Sequence, residues 1–382
     1  MSQSIETRCI HGGAHRYQED SRAISFPIYQ TASFSHIEPG HNGSGFDYTR
    51  ESNPTRSHLE ETVSSLEGAA DTVAFSSGMA AITACFELFR PGDRILCPAD
   101  LYGGVVRLLH NIEEKNGLII DFVDTTDPAL LNAAMKPDVK AIYVETPSNP
   151  MMNVTDLRAC GALAKAHGAL LIVDNTFLSP FFQNPIALGA DLVVHSGSKF
   201  LAGHNDTISG FLCSATEVLG ERVRLIAKTV GSTLAPFDSW LVLRGLKTLA
   251  VRMERQQQNA AVLARWLLEQ PRVERVYYVG LTSHPGYQVN AAQARGAGSM
   301  LSFTVDCRET ALRILKQVKL ITFAESLGGT ESLITYPVLQ THTDVPAEVR
   351  ERLGIADTLL RLSVGLENAD DLISDLRGAM EG

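Results

Sequence analysis

The sequence predicts an α/β protein, a mostly parallel sheet with helices on both faces, followed by a smaller α+β C-terminal domain. Three observations carry this. Between residues 56 and 200, short apolar runs alternate with segments of helical spacing. Several runs, at 141–145, 170–174 and 191–195, are nearly continuous in hydrophobicity, as in strands covered on both faces. After about residue 236 the alternation gives way to one long helical pattern and then a mixture of strands and helices.

Taken in order, residues 1–55 show little regular periodicity and include the glycine-rich polar stretch 36–45. The interspersed Phe26, Ile28, Tyr29, Phe34, Phe46 and Tyr48 favour an arm laid on another surface over a disordered tail. A helix is expected around 59–66, a strand at 72–75, and a helix over 80–89 entered through Ser76-Ser77-Gly78-Met79. Pro91-Gly92-Asp93 turns the chain into a strand at 94–97; a helix near 105–115 and a strand at 118–123 follow. Asp127-Pro128 has the N-cap and first-turn chemistry of another helix start. The strand at 141–145, a helix over 156–167, and the strands at 170–174 and 191–195 complete the first unit. Beyond it lie a helical pattern at 240–269 uninterrupted by proline, strands at 273–279, 300–305 and 359–364, and helices at 309–318 and 370–380. The expected organisation is an arm (1–55), a large domain (56–238) and a C-terminal α+β domain (239–382).

Composition narrows the function. Hydrophobic content of 45% and charged content of 20% are those of an ordinary globular protein, and a formal charge of −10 argues against a general nucleic-acid binder. The six cysteines are scattered, with no C-x-x-C pair, and read as reduced core residues of a cytoplasmic protein. The first 20 residues are polar, and no apolar run approaches the ~18 residues of a membrane span, so neither secretion nor membrane insertion is expected. A small-molecule enzyme fits best.

The chemistry centres on His195-Ser196-Gly197-Ser198-Lys199-Phe200, which follows an apolar run. A lysine just beyond a buried strand, flanked by small hydroxyl residues and glycine, suits a Schiff base with pyridoxal 5′-phosphate (PLP); burial favours the neutral amine this needs. The plain alternative is a strand-end lysine reaching solvent. Ligands of a parallel sheet bind at the carboxyl ends of its strands, which places Ser77, Glu145, Asp174 and Lys199 near one edge. Ser76-Ser77-Gly78-Met79, at a strand-to-helix passage, offers a phosphate site or simple N-capping. Ser196 and Ser198 can add hydroxyls to the same phosphate. Asp174 is suited to keeping a pyridinium nitrogen protonated, or to capping a turn. Tyr102, followed by Gly103-Gly104, is a candidate to stack on the cofactor ring. Arg361 interrupts an apolar strand and needs an anionic partner: a substrate α-carboxylate or an internal carboxylate.

Together these motifs resemble the cystathionine γ-synthase family of PLP enzymes, which has the aspartate-aminotransferase-type fold (fold type I). The matching stretches are S-x-S-K-F-x-x-G-H at 196–204, Val144-Glu145-Thr146-Pro147-Ser148-Asn149-Pro150, Val173-Asp174-Asn175-Thr176-Phe177, Tyr48-Thr49-Arg50, Asn53-Pro54-Thr55, Phe75-Ser76-Ser77-Gly78-Met79 and Glu325-Ser326-Leu327-Gly328-Gly329. The resemblance runs from about Thr7 to about Met380. It implies that Lys199 tethers PLP and moves protons at substrate carbons. Asp174 would pair with the ring nitrogen and Tyr102 stack on the ring. Gly78, Met79, Ser196 and Ser198 would hold the phosphate, and Asn149, Ser326 and Arg361 the substrate carboxylate. Tyr48 and Arg50 would reach the phosphate of a neighbouring subunit, making the site depend on a dimer within a homotetramer.

The resemblance also bears on specificity. Gly104 stands where methionine γ-lyases have cysteine, which weighs against that activity. Arg107 matches the arginine used for a distal carboxylate by members handling cystathionine, while Asp47 and Glu325 match acidic positions associated with its distal amino group. The expectation is a PLP-dependent cystathionine lyase cutting by β- or γ-elimination. The alternatives are a γ-synthase or O-acylhomoserine sulfhydrylase, an aminotransferase, and a non-catalytic binding protein.

Overall fold

The computed structural model describes residues 3–13, 22–343 and 345–381. Its larger sheet has seven strands: β1 (Asp71–Phe75), β2 (Arg94–Cys97), β3 (Ile119–Phe122), β4 (Val139–Glu145), β5 (Leu170–Asp174), β6 (Leu192–Ser196) and β7 (Gly210–Ser214), in the order β1-β7-β6-β5-β4-β2-β3. Strands β2 to β6 pair in parallel, and β7 runs antiparallel to both β6 and β1. Two reversals cancel, so β1 points the same way as β4, β5 and β6 and ends on the same edge.

The continuous apolar runs of the sequence have the expected cause. Ile142, Val144 and Val173 enter one hydrophobic core, while Ala141, Tyr143 and Ile172 enter another on the opposite face. Each fully buried Val or Ile here is worth roughly 1.5–3 kcal/mol relative to exposure. Helix caps follow the sequence closely: the Asp127 carboxylate accepts from the amides of Ala129 and Leu130, and Asp156 accepts from Ala159.

The smaller sheet has five strands, β8 (Val273–Tyr277), β9 (Met300–Val305), β10 (Thr322–Phe323), β11 (Leu333–Thr335) and β12 (Leu359–Ser363), ordered β10-β11-β12-β9-β8. Helices Leu249–Leu268, Arg308–Gln317 and Ala369–Glu381 share a third core with it.

Three features depart from the sequence reading. The irregular lead contains a helix, Ile5–His11, packed on helices Pro54–Glu67 and Leu249–Leu268 with Cys9 buried; at seven residues it is held by tertiary contact, not by its own propensity. Residues 14–21 of the predicted arm lie outside the described residues. Strand β7 and helix Glu217–Val230 fill the stretch between 204 and 236 for which no element was expected. The long pattern at 240–269 is two helices, Pro236–Leu246 and Leu249–Leu268. At their junction Gly245 lies so close to Ala202 that a Cβ would meet its carbonyl oxygen at 2.1 Å. The Gly245 carbonyl accepts from Thr248 Oγ1 at 3.0 Å and Arg252 Nη2 at 2.9 Å, which satisfy it outside a regular ladder.

From residue 22 to 53 the lead has neither helix nor strand, only isolated bridges such as Ser33 with Tyr48. Its base is tied to its own chain: Trp240 Nε1 donates to the Phe26 carbonyl at 3.1 Å, and Tyr29 N donates to Thr55 Oγ1 at 2.9 Å. Farther out, Ile37 is 74% exposed. All six cysteines are free; burial pushes the thiols of Cys85 and Cys160 up to about 12, so they behave as inert core groups. Among the described residues no helix is long and apolar enough to cross a membrane, and no cluster suited to a metal ion occurs.

Candidate active site

The site stands on the edge where β1, β4, β5 and β6 end. Lys199 lies three residues past β6 in a turn in which its amide donates to the Ser196 carbonyl at 3.2 Å and its carbonyl accepts from Gly203 N at 2.8 Å. Phe200 and Leu201, both buried, pin that turn to the core, and Arg252 Nη1 binds the Phe200 carbonyl at 2.7 Å. The amine therefore projects from a rigid base. Its Nζ donates to Ser326 Oγ at 2.8 Å, and burial together with the Arg361 charge brings it down to about 8, against a smaller opposing pull from Glu325.

On one side of Lys199 lies a small-residue cradle. Ser77 caps helix Gly78–Phe86 through Ala80 N at 3.1 Å, leaving the first amides of that helix ahead of its hydrogen-bond ladder. A Cβ on Gly78 would come within 2.9 Å of Ser196 Cβ, and one on Gly210 within 2.1 Å of the Ser77 carbonyl. Glycine at both positions lets the Ser77-Gly78 turn, Ser196 and β7 pack this closely, which brings the first amides of the helix to the cavity wall. Ser198 Oγ is engaged by its own turn, accepting from Ser209 N at 2.9 Å and donating to Ser209 O at 3.2 Å.

On the other side, Asp174 is buried at the end of β5, with Oδ1 accepting from Thr176 N at 2.9 Å. Burial raises its carboxyl, opposed by the Thr176 hydrogen bonds and by the charge of His195. Tyr102 begins helix Gly103–Asn116 with its amide donating to Glu145 Oε2 at 3.1 Å. Its ring lies against Gly104, where a Cβ would meet ring carbon at 2.5 Å.

Across the cleft, Arg361 in β12 is 2% exposed. It donates to Asn149 Oδ1 at 2.8 Å, the Ser326 carbonyl at 3.1 Å and Thr335 Oγ1 at 3.1 Å, while Nε has no partner among the described residues. A buried guanidinium held by neutral acceptors alone suits an incoming carboxylate, and burial already lowers it to about 10.

These groups enclose a cavity of about 530 Å³. Lining it are eleven of the sequence-predicted residues: Lys199, Tyr102, Asp174, Gly78, Met79, Ser196, Ser198, Asn149, Ser326, Glu325 and Arg361. Four others do not line this protomer's cavity. Asp47 contacts His36 Nε2 at 2.5 Å; Arg50 bonds the Lys228 carbonyl and lies 5.6 Å from the Tyr48 ring centroid; Arg107 is exposed on helix Gly103–Asn116. Sequence reasoning assigned no role to Glu145, Thr176, Asn205, Thr207 or Thr341, which also line it. Thr176 had a signal in standing two residues past Asp174, whereas Thr341 arrives from a distant loop with none.

The chemistry of this donor set fits PLP: free helix amides over a glycine cradle for a phosphate, a buried carboxylate for a pyridinium, a flat aromatic face, and a lysine with a substantial neutral fraction for an aldehyde.

Comparison with known proteins agrees. The chain is 44% identical over 382 residues to a cystathionine beta-lyase of Lactococcus lactis subsp. cremoris, covering 99% of each. It is 44% identical over 376 residues to a cystathionine gamma-lyase of Bacillus subtilis, covering 98% of this chain and 99% of that one. The solved cystathionine gamma synthase of Xanthomonas oryzae pv. oryzae, in complex with aminoacrylate and cysteine, superposes with a TM-score of 0.96 at 40% identity, covering 100% of this chain and 98% of that one. The family model described as Cys/Met metabolism PLP-dependent enzyme matches residues 6–381, and the chain belongs to that family of PLP-dependent enzymes.

Proposed function

We propose that the protein is a cystathionine lyase that cleaves a carbon–sulfur bond of L-cystathionine, working in the cytoplasm as a homotetramer of dimers with shared active sites. The observation that carries the reading is the pairing, in one cavity, of a lysine amine held near 8 with a buried arginine whose partners are all neutral. An amino-acid carboxylate seated on Arg361 would place its α-carbon between that anchor and Lys199.

When bound, PLP supplies an electron sink for negative charge at the substrate α-carbon. The chain supplies the rest. Lys199 carries the cofactor and moves the α-proton; Ser326, which accepts from its Nζ, orients the amine. Arg361 and Asn149 fix the carboxylate. Asp174 would keep the ring nitrogen protonated, and Tyr102 would stack on the ring and exclude water. Gly78, Met79 and Ser196 would hold the phosphate, joined by Ser198 once its hydroxyl turns from the Ser209 carbonyl. Tyr48, Arg50 and Asp47, which do not line their own protomer's cavity, serve that of the neighbouring subunit. Exposed apolar side chains such as Ile37 on the same segment support a surface that meets another subunit.

Glu325 in the cavity wall supports a substrate with a distal amino group, and Arg107, exposed on helix Gly103–Asn116, would be the partner of a distal carboxylate. Residues 1–55 then form the arm, 56–238 the cofactor domain and 239–382 the domain carrying Arg361. The chain is similar to relatives named beta-lyase, gamma-lyase and gamma synthase alike, so the test is the product. L-cystathionine supplied alone to the PLP-loaded enzyme should yield a keto acid: pyruvate for β-cleavage, 2-oxobutyrate for γ-cleavage. Turnover only with O-acylhomoserine and a thiol, with no keto acid from cystathionine, would reject the lyase.

A further inference from the structure

We infer that Glu145 is a positioning residue that keeps its own proton, seating Tyr102 through a hydrogen bond and leaving the negative charge of the neighbouring carboxyl pair to Asp174. Glu145 and Asp174 are the last residues of β4 and β5 and are direct partners in that parallel ladder. Adjacent strands lie about 4.8 Å apart, and paired residues of a parallel ladder face the same side. Both line the cavity, and they are only 7% and 8% exposed. Two carboxylates so placed cannot both be charged cheaply, and their protons belong to the pair.

The surroundings decide which one ionises. Asp174 receives the Thr176 amide at 2.9 Å and feels the charge of His195, both favouring its anion. Glu145 receives one N–H, from Tyr102, and faces Asp100 in addition to Asp174, with only Arg361 as counterweight; burial and then Asp174 drive its carboxyl well above the carboxylate range. Asp100 is itself raised to about 6 by burial and so adds a further anion as pH rises. A neutral Glu145 still accepts from Tyr102 N at 3.1 Å through its unprotonated oxygen. That bond ties the start of helix Gly103–Asn116, where Tyr102 makes no side-chain cap, to the end of β4 beside Asp174. One residue thus fixes the height of the aromatic face and protects the charge assignment at the ring nitrogen.

The inference rests on the reading of Asp174 and Tyr102 as cofactor-ring contacts. Infrared difference spectra of wild-type holoenzyme against Glu145→Gln near neutral pH should show a protonated-carboxyl C=O stretch present only in the wild type. Glu145→Gln keeps an acceptor for Tyr102 N and should retain the visible circular dichroism of the bound cofactor. Glu145→Ala should lose most of that dichroism and hold PLP about tenfold more weakly, the scale of one hydrogen bond. Absence of the band, loss of dichroism in Glu145→Gln, or its full retention in Glu145→Ala would each overturn the inference. If Glu145→Ala does not fold, the band and the Gln variant still decide. The band reads Glu145 itself, so its absence would leave the ring assignment standing. Undiminished PLP affinity and dichroism in Asp174→Ala would sink that assignment instead.

Discussion

Lys199 offers a quantitative test that needs no substrate. A fall from the usual 10.5 to about 8 corresponds to about 3 kcal/mol of discrimination against the ammonium, at ~1.4 kcal/mol per pH unit. At pH 7 about one amine in ten is then neutral, against about three in ten thousand for an ordinary lysine. Cofactor-free protein mixed with PLP should therefore recombine at a rate whose half-maximum lies near pH 8, followed by the rise of visible absorbance. Two substitutions shift it in opposite directions. Glu325→Gln removes the charge that favours the ammonium and should move the midpoint down; Arg361→Leu removes a repelling cation and should move it up. Stability follows with a definite sign. Between about pH 8 and 10.5 the unfolded chain holds a proton the native apoprotein has shed, so this group makes stability rise with pH across that window. Below it, both states are protonated and the native state carries the full cost of burying the charge. A wild-type recombination midpoint at pH 10 or above, or a Glu325→Gln shift upward, would refute the assignment of burial and local charge as the cause.

Two further outcomes test the assembly and the scaffold. Arg50→Ala should weaken PLP retention, and hybrid dimers combining one Lys199→Ala subunit with one Arg50→Ala subunit should recover part of the activity absent from the Lys199→Ala parent; no recovery on mixing would exclude a shared site. Behind the sheet, His195 Nε2 and Glu67 Oε1 meet at 2.6 Å with side chains 1% and 0% exposed, and Asn175 Nδ2 joins the same oxygen at 2.9 Å. Glu67→Leu should cost about 3 kcal/mol by stranding buried polar groups, whereas Glu67→Leu with His195→Leu should cost less than the two single changes added together, measured by urea unfolding at fixed protein concentration. Additive costs would show that the pair is not coupled.

The sequence by itself determined the strands that carry the chemistry, because a strand buried on both faces must be apolar along its whole length and its polar terminus then stands out. Asp174, Lys199 and the Ser77-Gly78 turn were legible for that reason, and local chemistry also exposed the Asp127 helix cap. The break after Leu246 was not legible: beside it Gly245 packs against Ala202, over forty residues away, a contact no local propensity encodes. Nor was β7, whose short apolar run gains its meaning only between β6 and β1.

Only the tertiary structure decided which charges share one space. Arg361 could be read from sequence as needing an anion, yet its neutral partners Asn149, Ser326 and Thr335 come from three separate segments of the chain. Glu145 was placed by sequence at the ligand-binding edge without a role, and the β4–β5 register set it directly beside Asp174. Strand periodicity is a property of neighbours along the chain, so sequence reveals it. Electrostatic coupling depends on distance and burial in space, so the folded structure alone assigns it.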